Sequence, residues 1–518
     1  MARYVRQSSG LVRELRWWDV LFITVAAPTG SGILFYSVQT SGQPGGSIVM
    51  AFAIGMALFL PMVMASMLLA SAMPRSGGPY VGISRLVHPA VGYLASCLLI
   101  IGDGIVVGVL GFILMQVGGA TLSVVGQAYH LETLVRIGSG MGANPWAPLG
   151  TVAWVVIFWA IMLRSPTVFR RILAALLLLP LITVIFALIA FFMTPPGDAM
   201  RAFNELWGPQ AWGRVLQAAH SAGWNSSSFS WNSTFSLLLV VVWAFNGIEF
   251  ASYAGGEVQA PQRSYAKGLF LGWLSVGLLY TVTAVAVRHS FGEIIEPYHF
   301  LQANHPDQLA SVMPSVAPSI PFYLLCILRS PELGILLAIA FVFWFVKIIP
   351  TVFLTTSRLM FALSMDRLLP EKLAEVHPVT AVPTWATHVT AVIALAGSGF
   401  YYFKVQTVLG ILMFCTMFIA WPMGVALILL PLRRPDLIRV EWLKSPRVLG
   451  LPAASWLGVL ATLSGLNLLY LAGREIPGKA WLILALVASV LLANYFLRTK
   501  ASVTELAPSG DEAFLPPE

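Results

Sequence analysis

Apolar positions in this chain gather into long blocks, with no two-residue alternation between apolar and polar. A helix needs about 20 apolar residues to cross the hydrocarbon core of a bilayer. Twelve stretches meet that need: 18–40, 47–72, 89–118, 147–164, 167–193, 234–256, 265–288, 332–362, 384–402, 406–432, 453–472 and 479–498. Ten-residue alternation is absent, which argues against a β-barrel. The pattern predicts an all-α polytopic membrane protein with about 12 transmembrane helices. Three connections stand apart. Residues 194–233 and 289–331 are long and are expected to fold as lids over the outer mouth. Residues 73–88 are moderately apolar but too short to cross, and read as a re-entrant or interfacial segment.

Composition sharpens this. Of 518 residues, 58% are apolar and 10% charged, against about 25% charged in soluble domains. A soluble enzyme, a disordered chain and a nucleic-acid binder are excluded despite the net charge of +8. Counted loop by loop, Lys and Arg divide 21 to 8 in favour of the N-terminal side, with Lys347 left inside a span. The positive-inside rule then places both termini in the cytoplasm of a cell (plasma or inner) membrane. The first twenty residues carry Arg3, Arg6, Arg13 and Arg16 and lack an apolar core, so no cleaved signal peptide is expected. Cys97, Cys326 and Cys415 are too scattered for a disulfide framework or metal cluster. Asn225 and Asn232 begin glycosylation sequons on the expected outer side.

Two spans are interrupted. In the first, Pro28, Gly30, Ser31 and Gly32 fall about twelve residues from its start. Proline removes a backbone donor and glycine tolerates non-helical angles, so two half-helices joined by unwound chain are expected. The sixth span repeats this at Asn246 and Gly247. Five spans separate the two starts, and five is odd, so two five-helix units of opposite topology follow. Matching interruptions in inverted halves point to a transporter site. A half-helix beginning at Ser31–Ile33 offers free amides to a carboxylate. The sixth-span half ending near Phe245–Gly247 offers carbonyls to an ammonium group. Together they read as a receptor for the zwitterionic end of an α-amino acid.

At this point the residues resemble a known family. GSGI at 30–33, PRSGGPY at 74–80 with HPA at 88–90, WAFNGIEFASYAGGEVQAPQR at 243–263 and TSRLMFALSMDRLLP at 356–370 are similar to motifs of the amino acid–polyamine–organocation superfamily. The resemblance implies a five-plus-five inverted-repeat fold with interrupted helices 1 and 6 and two peripheral helices. It divides the chain into a cytoplasmic tail (1–17), a first repeat (18–193), an external loop (194–233), a second repeat (234–432), two last spans with their cytoplasmic loop (433–498) and a disordered tail (499–518). It implies alternating-access transport of an amino acid or related amine, with no cofactor. By the resemblance, the amides of Gly30, Ser31 and Gly32 take the carboxylate, and Trp243 through Gly247 take the amine. Trp243 stacks on or gates the substrate, and Glu249 is the acid that follows the break. Pro28, Ile33, Phe245 and Asn246 complete the expected site. Asn246 departs from the small or apolar residues usual there.

Asp103, Glu249 and Lys347 are the ionisable side chains placed well inside spans. Each costs at least about 2.5–3.5 kcal/mol at mid-bilayer. All three lie roughly 21–22 Å into their spans at 1.5 Å per residue, so pairing among them is one expectation. Lys347, Thr351 and Thr355 share a helix face. Lys347 is either a structural partner of an acid or a coupling residue that replaces a sodium ion or exchanges a proton. Asp103 is either a proton carrier, a partner of Lys347 or structural. Sodium-independent transport, as symporter or antiporter, follows from the coupling reading. Two acids near one lysine argue against a strongly charged substrate. Arg75, Arg263, Arg358 and Asp366 at span ends form either an inner-gate network or ordinary positive-inside charge. All eight histidines fall in loops or at span ends, and no metal-ligand set is expected. An intramembrane enzyme is therefore disfavoured. A channel is the poorer fit, and a sensor without flux is the remaining alternative.

Overall fold

A computed structural model describes residues 10–40, 44–225, 228–314, 316–399, 405–438 and 447–503. Nearly all of these are helical. Among the described residues the strands are one short antiparallel pair, Arg447–Val448 with Leu451–Pro452. Among the described residues nine helices are long and apolar enough to cross a membrane, or up to eleven spans if each of two bent pairs is one. The remaining expected span, 384–402, is helical over Thr384–Ser398, only 15 residues, and 400–404 lie outside the described residues.

Several elements outrun their expected bounds. The third span is the 40-residue helix Pro89–Ala128. The seventh is the 44-residue helix Pro261–Asn304, about 66 Å long against a hydrocarbon core of about 30 Å. Its extension has a physical cause. Phe291, Ile294, Ile295, Tyr298 and Leu301 are buried at helical spacing, so residues 289–304 are an amphipathic helix with a partner to cover. The partners are Pro196–Trp207, Ala211–Ser221 and Ile320–Leu328, short helices within the two expected lids. Aromatic contacts join them, with Trp207 stacked on Phe322 at 5.5 Å and Phe203 edge-on to Trp212 at 5.6 Å.

Pro89–Ala128 is the axis of the molecule. Thr384–Ser398, Val405–Met417, Pro331–Val346 and Ile348–Met365 all pack on it. A Cβ on Gly108 would collide with the Ala394 carbonyl, and one on Gly397 would lie 2.5 Å from the Ile105 carbonyl. The small residues let two backbones meet, the usual means of helix association in lipid. At the periphery only 11% of the apolar window of the last helix is buried. Leu482, Ile483, Leu486, Val490 and Leu497 are exposed there, as lipid contact requires. That helix continues to Val503, past the start of the expected tail at 499, and residues 504–518 lie outside the described ones.

The expected cytoplasmic end is tied together. The amides of Glu14 and Leu15 donate to the Glu257 carbonyl at 3.0 and 2.9 Å, and the Gln259 amide donates back to Leu15 at 2.7 Å. The segment 73–88 packs inside the protein. Tyr80, Val81, Ile83 and Leu86 are buried, and the Gly77 amide donates to the Tyr253 carbonyl at 3.0 Å.

Candidate functional site

The first expected break is present. Helices Trp17–Ala26 and Ser31–Val38 meet at 56°. The second half is shorter than expected, with one α-turn, Ser31–Leu34, followed by a 3-10 turn, Tyr36–Val38. The amides of Ile33 and Leu34 both donate to the Gly30 carbonyl, at 3.2 and 3.3 Å. The amides of Ser31 and Gly32 open that turn and have no intrahelical partner. Ile33 was expected among the carboxylate's ligands, but its amide is already used and its side chain is fully buried.

Gly32 faces a tyrosine. A Cβ there would overlap the Tyr280 ring and lie 2.7 Å from its hydroxyl. That hydroxyl sits 3.0 Å from the Pro28 carbonyl and 2.6 Å from the Ala244 carbonyl. Tyr280, on the long helix Pro261–Asn304, thus joins both breaks through one side chain. A tyrosine in an apolar span carries no signal that it faces unwound chain, so sequence reasoning missed it. Arg288 on the same helix was also missed. It donates to the carbonyls of Ser37 and Gln39 at 2.7 and 3.2 Å, closing the end of the outer half-helix.

The second break falls at the expected residues. Helix Leu238–Phe245 ends at Asn246, which is extended at φ −60°, ψ 133°. Gly247 follows at φ +89°, a backbone region open to glycine and strained for other residues. Beyond it, two 3-10 turns, Phe250–Tyr253 and Gly255–Glu257, replace the expected half-helix. Only seven residues separate Gly247 from the pair Gly255 and Gly256, too few for a stable α-helix. The carbonyls at this break are partly engaged. Those of Trp243 and Phe245 accept long bonds of 3.4 Å from Asn246 and Ile248, and that of Ala244 accepts from Tyr280.

Between the breaks lies a cavity of about 300 Å³, within the range of small-molecule sites. Pro28, Ser31, Trp243 and Asn246 line it. Gly30, Gly32, Ile33, Phe245, Gly247 and Glu249 surround the breaks without lining it. A Cβ on Gly30 would meet Ile348 at 2.6 Å. Asp103 also lines the cavity. It is 2% exposed, and its Oδ2 has no hydrogen-bond partner. The Asn246 Oδ1 and Glu249 Oε2 are likewise buried and unpartnered. Glu249 lies close enough to Asp103 to act on it electrostatically.

Lys347 makes no ion pair with Asp103 or Glu249, against the pairing expectation. Its fully buried Nζ donates to the Ala26 carbonyl at 2.8 Å, to the Thr29 Oγ1 at 2.7 Å and to the Thr29 carbonyl. It also lies 4.8 Å from the Trp344 ring centroid. Lys347 occupies the joint between helices Pro331–Val346 and Ile348–Met365. Pro350 at the third position of the second helix withholds an amide there. Three oxygens thus satisfy the three N–H donors of the ammonium group. Thr351 and Thr355, expected beside Lys347, turn their hydroxyls onto their own helix, to Ile348 and Thr351.

At the span ends expected to be cytoplasmic, Arg358 and Glu257 form a buried bidentate pair at 2.6 and 3.1 Å. Arg85 holds Asp366 at 2.6 and 2.7 Å, and the Tyr80 hydroxyl donates to the same carboxylate at 2.6 Å. Burial pushes the Asp366 carboxyl up, but the Arg85 guanidinium outweighs it and leaves the group below its ordinary value. Of the four charges expected in a network, Arg358 and Asp366 are paired, Arg75 lines a small pocket beside Asp366 and Arg263 is exposed. Their partners Glu257 and Arg85 were not anticipated. A family model described as "Amino acid permease" matches residues 15–492.

Proposed function

The chain belongs to the amino acid permease family, and from that premise we propose that it moves an amino acid or related amine across the membrane by alternating access. Membership in this family and the nine to eleven candidate spans make it a multi-pass membrane protein of a transporter family. The finer reading is a five-plus-five inverted repeat, 18–193 and 234–432, with both termini in the cytoplasm and two peripheral helices. The cavity between the breaks at 28–32 and 245–247 carries the proposal. Ser31 and Gly32 bring uncommitted amides to its edge, suited to a substrate carboxylate, with Gly30 at the turn before them. Trp243 forms part of its wall, placed to stack on or gate the substrate. In the transport cycle, the Arg358–Glu257 and Arg85–Asp366 pairs act as the inner closure.

Coupling is sodium-independent in this reading. The Lys347 ammonium group already fills the oxygen nest formed by Ala26 and Thr29. The unpartnered acids Asp103 and Glu249 favour protons as the coupled ion. Purified protein in proteoliposomes tests this. Amino acid uptake is expected to be equal with and without a sodium gradient and to rise with an inward proton gradient. Strict sodium dependence overturns the coupling, and the absence of any amino acid flux overturns transport.

A further inference from the structure

The charge balance of the cavity differs from that of the spans as a whole. Counting Lys347 against Asp103 and Glu249 suggests near-compensation. The structure sets Lys347 apart from that balance, because its ammonium group is held by Ala26 and Thr29 and does not line the cavity. Of the described side chains that line the cavity, Asp103 alone is acidic or basic. No Lys, Arg or His lines it, and among the described residues no ion pair reaches Asp103. Its Oδ2 is buried without a donor, as is the amide oxygen of Asn246 across the second break. Glu249, a second buried acid with an unpartnered oxygen, lies near enough to act on Asp103 electrostatically. A buried carboxylate without a counter-ion is costly. Two orphaned acceptors on one cavity wall ask for a ligand rich in donors and positive charge. The rest of the Asp103 wall is aliphatic, with Val106 and Leu110 one and two turns along the same helix and Ile348 and Val352 on the facing one. That surface suits a hydrocarbon stem.

Resting on the amino acid reading above, we infer that Asp103, with Asn246, is the subsite for a second cationic group. The substrate is then a dibasic amino acid. Its α-carboxylate lies at the Ser31 amides, its methylene stem against the aliphatic wall, and its distal ammonium or guanidinium group on Asp103. Asp103 sets specificity in this assignment.

Calorimetric binding to the purified full-length protein tests it, using lysine against its neutral isostere norleucine, and arginine against citrulline. The charged member of each pair is expected to bind roughly tenfold or more tightly, the scale of one charge-assisted hydrogen bond. In Asp103→Asn that ratio collapses towards one, while Asp103→Glu keeps a preference for the charged member. The pair of variants separates recognition from folding, because a merely structural Asp103 would lower both ligands together and leave the ratio unchanged. Equal binding of lysine and norleucine by the wild type, or a preserved ratio in Asp103→Asn, overturns the subsite. Binding of diamines as tightly as lysine overturns the carboxylate end of the assignment. Failure of every amino acid to bind overturns the reading on which it rests.

Discussion

Replacing Lys347 by methionine keeps an unbranched stem in the same space but leaves three buried oxygens of Ala26 and Thr29 without a donor. Each buried acceptor left unsatisfied costs about 1–3 kcal/mol. Lys347→Met is therefore expected to unfold at a clearly lower temperature than wild type in detergent. An unchanged midpoint would show that the contact carries no stability. Lys347 itself was legible in the sequence, since a lone charge in a block of apolar residues draws the eye. Its partners were not. They are the Ala26 and Thr29 carbonyls and the Thr29 hydroxyl, on either side of Pro28, and a carbonyl carries no sequence signature. The same holds for Tyr280, which looks like any aromatic in a span until the two breaks are seen on either side of it. Asp103 was legible as a buried acid, but its place on the cavity wall depends on which face of the Pro89–Ala128 helix turns inward.

Among elements, the interruptions are the parts most plainly written in the chain, because Pro28, Gly30 and the pair Asn246 and Gly247 act through local backbone rules. Gly247 at φ +89° gives a direct test. Gly247→Ala introduces a strain of about 1–3 kcal/mol beside the Phe250 ring, 3.0 Å from the new Cβ. Gly223 has a similar φ of +94°, with no atom within 4 Å of an added Cβ, and it does not line the cavity. Both alanine variants are expected to lose comparable stability, but only Gly247→Ala should lose most of its uptake. Equal uptake by the two would detach the break from transport. Element lengths were harder to read. The search for bilayer-long apolar blocks stopped the seventh span at 288, whereas the amphipathic continuation to Asn304 follows a 3.6-residue pattern with polar residues between. The halves after each break were overestimated for the opposite reason. Seven residues between glycines read as helix by composition yet close as 3-10 turns.

For the whole molecule, the end proposed to be cytoplasmic is held by ion pairs that join segments far apart in sequence. Glu257 meets Arg358, and Arg85 meets Asp366. Such pairings are invisible to local reasoning, which placed Arg358 and Asp366 at span ends, as an inner-gate network or as ordinary positive-inside charge, without finding their partners. Against the upward push of burial, the Arg85 guanidinium holds the folded-state pKa of Asp366 below the ordinary aspartate value of 3.8. The stability it contributes is therefore complete above that value and is lost as pH falls through the lower, folded-state one. Unfolding midpoints of wild type and Arg85→Gln should differ most near neutral pH, and the gap should narrow below pH 3.8. A gap independent of pH would remove Asp366 from the closure.

The helix Pro261–Asn304 touches every level of this arrangement. Gly268 and Gly272 abut Val20 and Thr24 of the inner half-helix. Tyr280 holds both breaks, Arg288 closes the outer half-helix, and the Tyr298 hydroxyl donates to the Val316 carbonyl at 2.7 Å. One continuous helix thus runs as a mechanical shaft from the first half-helix beside the cavity to the cap of short helices at the far end. A force applied at the cap, by an antibody fragment that clamps Ala211–Ser221 against it, is delivered to the substrate cavity without anything entering that cavity.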